Sequence, residues 1–119
     1  MGWLCYEYGV TGELYFATDY RLATAWSDQW AFGGNGDGTL FYPGKPSIIG
    51  GTHDIPIDSI RLKRIRDGRE DYEYLKLAQA AGSGAQAMSI ARTLFPTMYQ
   101  ADVSQAAMDT ARGQLAALT

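Results

Sequence analysis

Cysteine and histidine are almost absent from this chain, since Cys5 and His53 each stand alone. A single thiol excludes an intrachain disulfide and a thiolate metal cluster, and it leaves the redox compartment open. His53 has no second His or Cys near it in sequence, so it reads as a loop hydrogen-bonding residue rather than a metal ligand or base. No run approaches the roughly 20 apolar residues of a membrane span, and the start lacks a charged segment followed by an apolar one. Neither a membrane partner nor export is expected of the chain as written, and its localisation is unknown. A basic excess is missing too: the net charge is -3. The cations gathered between Arg61 and Arg69 are followed at once by acids, so nucleic acid is not an expected partner.

With 119 residues, 46% of them apolar, the chain is long enough to bury an ordinary core. Its aromatics crowd the first part, from Trp3 to Tyr42, and only Tyr72, Tyr74, Phe95 and Tyr99 follow. Met1 to Tyr8 has helix-compatible apolar spacing and stops at Gly9. After Thr11-Gly12, the short aromatic run Glu13 to Thr18 predicts a buried strand. Asp19 to Pro56 reads as one long connection, with a helical turn near Leu22 to Trp26 and an extended piece at Leu40 to Tyr42.

Asp58 or Ser59 is the expected N-cap of a long helix running to about Ala81 and ending at Gly82-Ser83-Gly84. Ile65, Gly68, Tyr72 and Leu75 give it one stripe. A glycine inside that stripe costs roughly 1 kcal/mol, so close approach of another backbone is expected there. The pairs Lys63/Asp67, Arg66/Glu70 and Arg69/Glu73 place base before acid, the less favourable order, which points these charges at neighbours outside the helix. Two further helices are expected, from about Ala85 to Leu94 and, after an Asp102 cap, from Val103 to Leu118.

The ordered pattern Gly12 to Ala17, Trp30, Gly36-Asp37-Gly38-Thr39-Leu40-Phe41-Tyr42-Pro43-Gly44, Ser59-Ile60-Arg61-Leu62 and Arg66-Asp67-Gly68-Arg69-Glu70-Asp71-Tyr72-Glu73-Tyr74-Leu75 resembles the C-terminal part of glycoside hydrolase family 123. The related catalytic-domain family of unknown function 4091 shares it. The resemblance spans roughly residues 1 to 80. It implies a (β/α)8 barrel and release of β-linked N-acetylgalactosamine by a substrate-assisted retaining mechanism. An Asp-Glu pair on an earlier barrel strand would orient the acetamide and supply the acid, outside the usual scheme of two carboxylates. No such pair stands at a strand end in this chain.

The resemblance implies that Met1 to Tyr8 ends the seventh barrel helix, that Glu13 to Thr18 is the last strand, and that Ser59 to Ala81 is the helix after it. The long loop would then leave the face on which such barrels build active sites. Phe16 stands where the family usually has tryptophan, keeping an apolar wall without the indole N–H. Arg21 replaces a further family aromatic.

The adjacent acids Glu70 and Asp71 sit mid-helix among arginines and read as ion-pairing rather than catalytic. Asp19 is a candidate for binding a sugar hydroxyl, with a turn or loop cap as its structural alternative. Trp26 and Trp30, with Phe32, read either as a saccharide platform or as the loop's own packing. Gly33 to Gly44 lacks calcium ligands at its first and last positions, and its glycines do not open a helix, so neither calcium nor a nucleotide phosphate is expected. No cofactor is expected.

The fold class expected is an α/β fragment, mostly helical. It comprises the last strand, long loop and closing helix of a (β/α)8 barrel over residues 1–82, plus a helical C-terminal extension over 83–119. The expected function is that of the C-terminal fragment of a glycoside hydrolase-like protein acting on N-acetylhexosamine glycans. The chain itself would be inactive, with saccharide-binding residues Tyr15, Phe16, Asp19, Trp26 and Trp30 and no catalytic residue. Its expected partners are a saccharide and either a missing N-terminal part of the barrel or a second copy. A parent of this kind is expected to be secreted or periplasmic. The alternative is a non-catalytic helical carbohydrate-binding or protein-interaction module.

Overall fold

A computed structural model of the chain describes residues 1–119, the side chain of Ala31 excepted. The chain divides into two compact units, Met1–Glu13 with Arg66–Thr119, and Leu14–Ile65. The sequence-based boundary at 82/83 falls instead within the first unit.

The first unit is helical. Helix α1 (Gly2–Glu7) ends at Gly9, which takes φ 65°. There the Val10 N–H reaches the Cys5 carbonyl at 2.8 Å and the Gly9 N–H reaches Tyr6 at 3.3 Å. These two bonds satisfy the orphan carbonyls of the last turn, and the left-handed residue they require explains the stop at a glycine. The long helix α3 (Ile60–Ala78) enters this unit at Arg66 and stops before a five-residue turn, Gln79–Ser83, in which Gly82 takes φ 86°. Helices α4 (Gly84–Leu94) and α5 (Gln105–Ala116) complete the unit.

Trp3, Leu75, Leu94, Phe95 and Leu115 form the core, with Ala78, Ala87, Ala91 and Ala111 buried between them. The alanines carry no bulk at helix contacts, so the few large side chains fill the space between closely set backbones. The expected cap of the last helix is corrected: Ser104, not Asp102, accepts from the Ala107 N–H, at 3.3 Å. Asp102 instead accepts from the Ser104 N–H at 3.0 Å, and this bond holds its carboxyl below the usual range.

Charges on α3 do look outward. Arg69 reaches Glu13 at 3.0 Å, Arg112 reaches Asp71 at 2.7 Å, and of the three intrahelical pairs only Arg66–Glu70 is in range, at 3.6 Å. The ion-pairing reading of Asp71 stands. Gly68 is met by a second backbone, that of Gly2.

The second unit begins with a difference from expectation. Residues 13–17 form no strand, and 14–17 have no backbone hydrogen-bond partner among the described residues. A strand exists only against a bonding neighbour. Here pairing starts at Thr18, whose carbonyl accepts from the Leu40 N–H, and at the single antiparallel bridge Asp19–Thr39. Burial nevertheless alternates with the period of a strand, Tyr15 and Ala17 partly covered, Leu14 and Phe16 exposed.

The supposed long connection holds two antiparallel ribbons. A helical turn of the 3₁₀ type (Leu22–Thr24) precedes the hairpin of β1 (Trp30–Ala31) and β2 (Gly34–Asn35). Then β3 (Phe41–Gly44) pairs with β4 (Ile55–Asp58) across a short helix α2 (Pro46–Ile49). Strand β4 was not anticipated because Pro56 argues against a strand; it is tolerated opposite Pro43, where neither residue can donate, in a ribbon of only two strands. Ser59 caps α3 by accepting from the Leu62 N–H at 3.2 Å. Among the described residues, no helix is long and apolar enough to cross a membrane.

Candidate functional site

Buried apolar side chains are scarce in the second unit, where Ala25 and Leu40 are the fully covered ones among the described residues. So small a core contributes little, on the order of 2–3 kcal/mol for a buried leucine. Polar contacts must therefore hold the loop. Tyr15 supplies one set: its hydroxyl donates to Asp37 Oδ1 at 2.8 Å and accepts from the Gly38 N–H at 2.8 Å. Burial raises the phenol's pKa, the Gly38 N–H opposes this, and the Asp37 carboxylate adds to it.

Stability tied to the neutral phenol is thus complete below the ordinary tyrosine value of 10.0 and is lost as pH rises through the raised one. Tyr15→Phe is expected to destabilise the chain by about 1–2 kcal/mol at neutral pH. The difference from the parent should shrink in alkali, as read by urea unfolding at a series of pH values; a constant difference would argue against this role. Tyr15 is accordingly a brace of the loop, its hydroxyl already engaged.

The aromatic rings fall into two groups. Phe16 meets Phe32 edge-on, with centroids 6.4 Å apart and planes at 74°, and Phe32 lies 4.6 Å from Tyr20. These three rings remain open to solvent, Phe16 to 82%. Trp26 belongs to the second group. It packs on Tyr42 at 4.7 Å, and its indole N–H donates to the Pro43 carbonyl at 2.9 Å. At 47% exposed, it is packed on one side and open to solvent on the other. Trp30 is 58% exposed on β1, its backbone N–H held by Asp28 at 3.0 Å.

Asp19 lies beside Tyr20 in sequence. Its carbonyl closes a turn with the Leu22 N–H at 3.0 Å, whereas its exposed carboxylate has no partner among the described residues. The turn and a free acid coexist at this position. Of the five residues expected to bind, no ring contact joins Phe16 to Trp26 or Trp30.

Phe32 is held at φ 51°, the one non-glycine residue with positive φ among those described. A left-handed conformation costs an ordinary residue on the order of 1–2 kcal/mol. Its contacts with Tyr20 and Phe16 offset part of this cost. Gly38 makes room for it, since a Cβ there would lie 2.9 Å from the Phe32 ring and 3.2 Å from Tyr20. A strained, exposed aromatic of this kind makes the position a candidate to test for a ligand role.

Tyr20 and the residues that support the loop, Tyr42 and Arg61, were missed as contributors in the sequence. Tyr20 follows the expected strand among other aromatics and carries no spacing signal of its own. Arg61 could have been found by its place at the start of a helix, where a cation opposes the dipole and needs an outside partner.

A cavity of about 240 Å³ lies in the first unit, lined by Cys5, Val10, Glu13, Arg69, Tyr72 and Glu73 among others. None of the loop aromatics lines it, and its Arg69 and Glu13 neutralise each other at 3.0 Å. The open rings and unpartnered acid of the loop are the better candidate site. No protein-family model matches the chain, and no curated protein matches it either.

Proposed function

We propose that this chain supplies the saccharide-binding loop of a glycoside hydrolase-like protein acting on N-acetylhexosamine glycans, without catalytic carboxylates of its own. One observation carries the reading: three contacting rings, Phe16, Tyr20 and Phe32, stand open to solvent, one of them held in a strained backbone. Exposed aromatic faces suit the apolar face of a pyranose ring, and the neighbouring Asp19 carboxylate suits its hydroxyl or amide edge. The resemblance of the motif series to glycoside hydrolase family 123 supports the choice of sugar and the (β/α)8 setting. In that setting the Leu14 to Ala17 segment, whose backbone is unpaired, would be an edge for neighbouring strands.

The test is a titration of the 119-residue chain with N-acetylgalactosamine, followed by tryptophan fluorescence and calorimetry. At about 0.3 kcal/mol per non-hydrogen atom over roughly 15 atoms, a Kd on the order of 1 mM is expected. Phe32→Gly separates binding from folding. It should leave the unfolding midpoint nearly unchanged, because the relieved strain is offset by lost ring contacts and by glycine's entropy in the unfolded chain, while weakening sugar binding. Absence of any heat or fluorescence response at roughly twentyfold above the expected Kd would sink the proposal.

A further inference from the structure

We infer that Arg61 is the positioning residue of the aromatic loop, its guanidinium clamping the base of the hairpin that carries Trp30 and Phe32. From the first turn of α3, Nε donates to the Thr39 carbonyl at 2.8 Å, Nη2 to the Tyr42 hydroxyl at 3.1 Å, and Nη1 to Gln29 Oε1 at 3.5 Å. Gln29 precedes β1 and Gly36 follows β2, so these two residues are the feet of the hairpin. The Gly36 N–H donates to the Gln29 carbonyl at 3.1 Å, closing it.

Gly36 also leaves room for the guanidinium, because a Cβ there would stand 2.6 Å from its atoms. The same cation lies 5.6 Å from the centre of the Tyr42 ring, on which Trp26 packs. One planar fork thus fixes four points of the loop, Gln29, Gly36, Thr39 and Tyr42. In a unit with so few buried apolar side chains, apolar packing at these points is limited to contacts such as that of Trp26 on Tyr42.

A lysine cannot do the same. Its ammonium is a compact point charge, and the acceptors here are spread around a rigid plane. The order of Trp30 and Phe32 therefore depends on the shape of the fork rather than on its charge. The consequence for sugar binding rests on the saccharide reading, whereas the clamp itself can be tested with no sugar present.

The experiment compares the full chain with Arg61→Lys and Tyr42→Phe, measuring amide hydrogen exchange by NMR and then titrating N-acetylgalactosamine. Arg61→Lys should speed exchange of the Gly36 and Thr39 amides by about tenfold or more, leaving α5 amides protected. Tyr42→Phe, which removes one acceptor, should have a smaller effect in the same direction and serves as the test if Arg61→Lys does not fold. Sugar affinity should fall by about tenfold in Arg61→Lys.

Unchanged protection of Gly36 in the variants overturns the clamp. So does weaker sugar binding without faster exchange, which would make Arg61 a ligand contact instead. Faster exchange in a chain that never responds to the sugar upholds the clamp and removes the saccharide reading.

Discussion

Arg112→Met is expected to destabilise the first unit by about 3–5 kcal/mol, more than Asp71→Asn at the other end of the same contact. Asp71 is buried, its side chain only 4% exposed. It accepts from Arg112 Nε at 2.7 Å, from Arg112 Nη2 at 3.0 Å, and from Trp3 Nε1 at 2.8 Å. Removing Arg112 leaves a carboxylate inside the protein with one neutral donor. A charge stranded in this way is among the costliest single lesions a fold can carry.

The reverse change is milder for a geometric reason. Arg112 is 36% exposed and can turn to water once its partner is neutral, and an asparagine at 71 still offers an oxygen to the Trp3 indole. A loss of about 1–3 kcal/mol is expected for Asp71→Asn. Urea unfolding of the two single variants and the double variant Asp71→Leu/Arg112→Met checks the argument. The double should recover much of the loss, since removing both members of a buried pair is often nearly neutral. If Asp71→Asn proves the worse of the two, the burial asymmetry is not what governs the site.

This contact shows how far a sequence can be read. The placement of Asp71 on a helix among arginines was enough to assign it to ion pairing, because period and charge are local. Its partner Arg112 lies 41 positions away and could not be named without the tertiary fold. The same holds for the elements. Helix α1, the long α3 and the kink at Gly82 that follows it are written in caps, glycines and apolar spacing, which act within a few residues. The strand expected at Glu13 to Thr18 had the right composition and kept the right alternation, yet pairing is a property of two segments, and a single segment's residues do not encode whether a neighbour is present.

The loop was the least legible part. Its aromatics read either as a ligand surface or as the loop's own packing, and which rings touch was decided by Phe32 adopting φ 51° and by the absence of a Cβ at Gly38. Neither is a matter of composition. Tyr15 and Trp26 looked from their types like ligand contacts; the Tyr15 hydroxyl and the Trp26 indole N–H are in fact spent on Asp37, Gly38 and Pro43. Phe16 and Asp19, expected for the same reason, remain open to solvent. A polar aromatic in a unit with little apolar core tends to be used as structure first.

The second large effect is expected at Gly2 rather than at Gly68, the glycine that sequence periodicity singles out. A Cβ built on Gly2 would lie 1.8 Å from the Gly68 carbonyl oxygen and 3.2 Å from the Tyr72 Cβ. Both obstacles belong to a long helix, so α1 would have to move away bodily. That movement lifts Trp3, the next residue and 1% exposed, out of the core and away from Asp71. Gly2→Ala should therefore cost about 2–4 kcal/mol, even after the roughly 1 kcal/mol that alanine gains over glycine in a helix. Gly68→Ala meets only the Gly2 nitrogen, at 3.8 Å, an ordinary contact, and should be neutral or stabilise the chain by up to about 1 kcal/mol. Thermal unfolding of the two variants side by side decides the matter. A Gly2→Ala chain that melts with the parent would mean that α1 does not need its close seat on α3, and that Trp3 and Asp71 are held by the other helices alone.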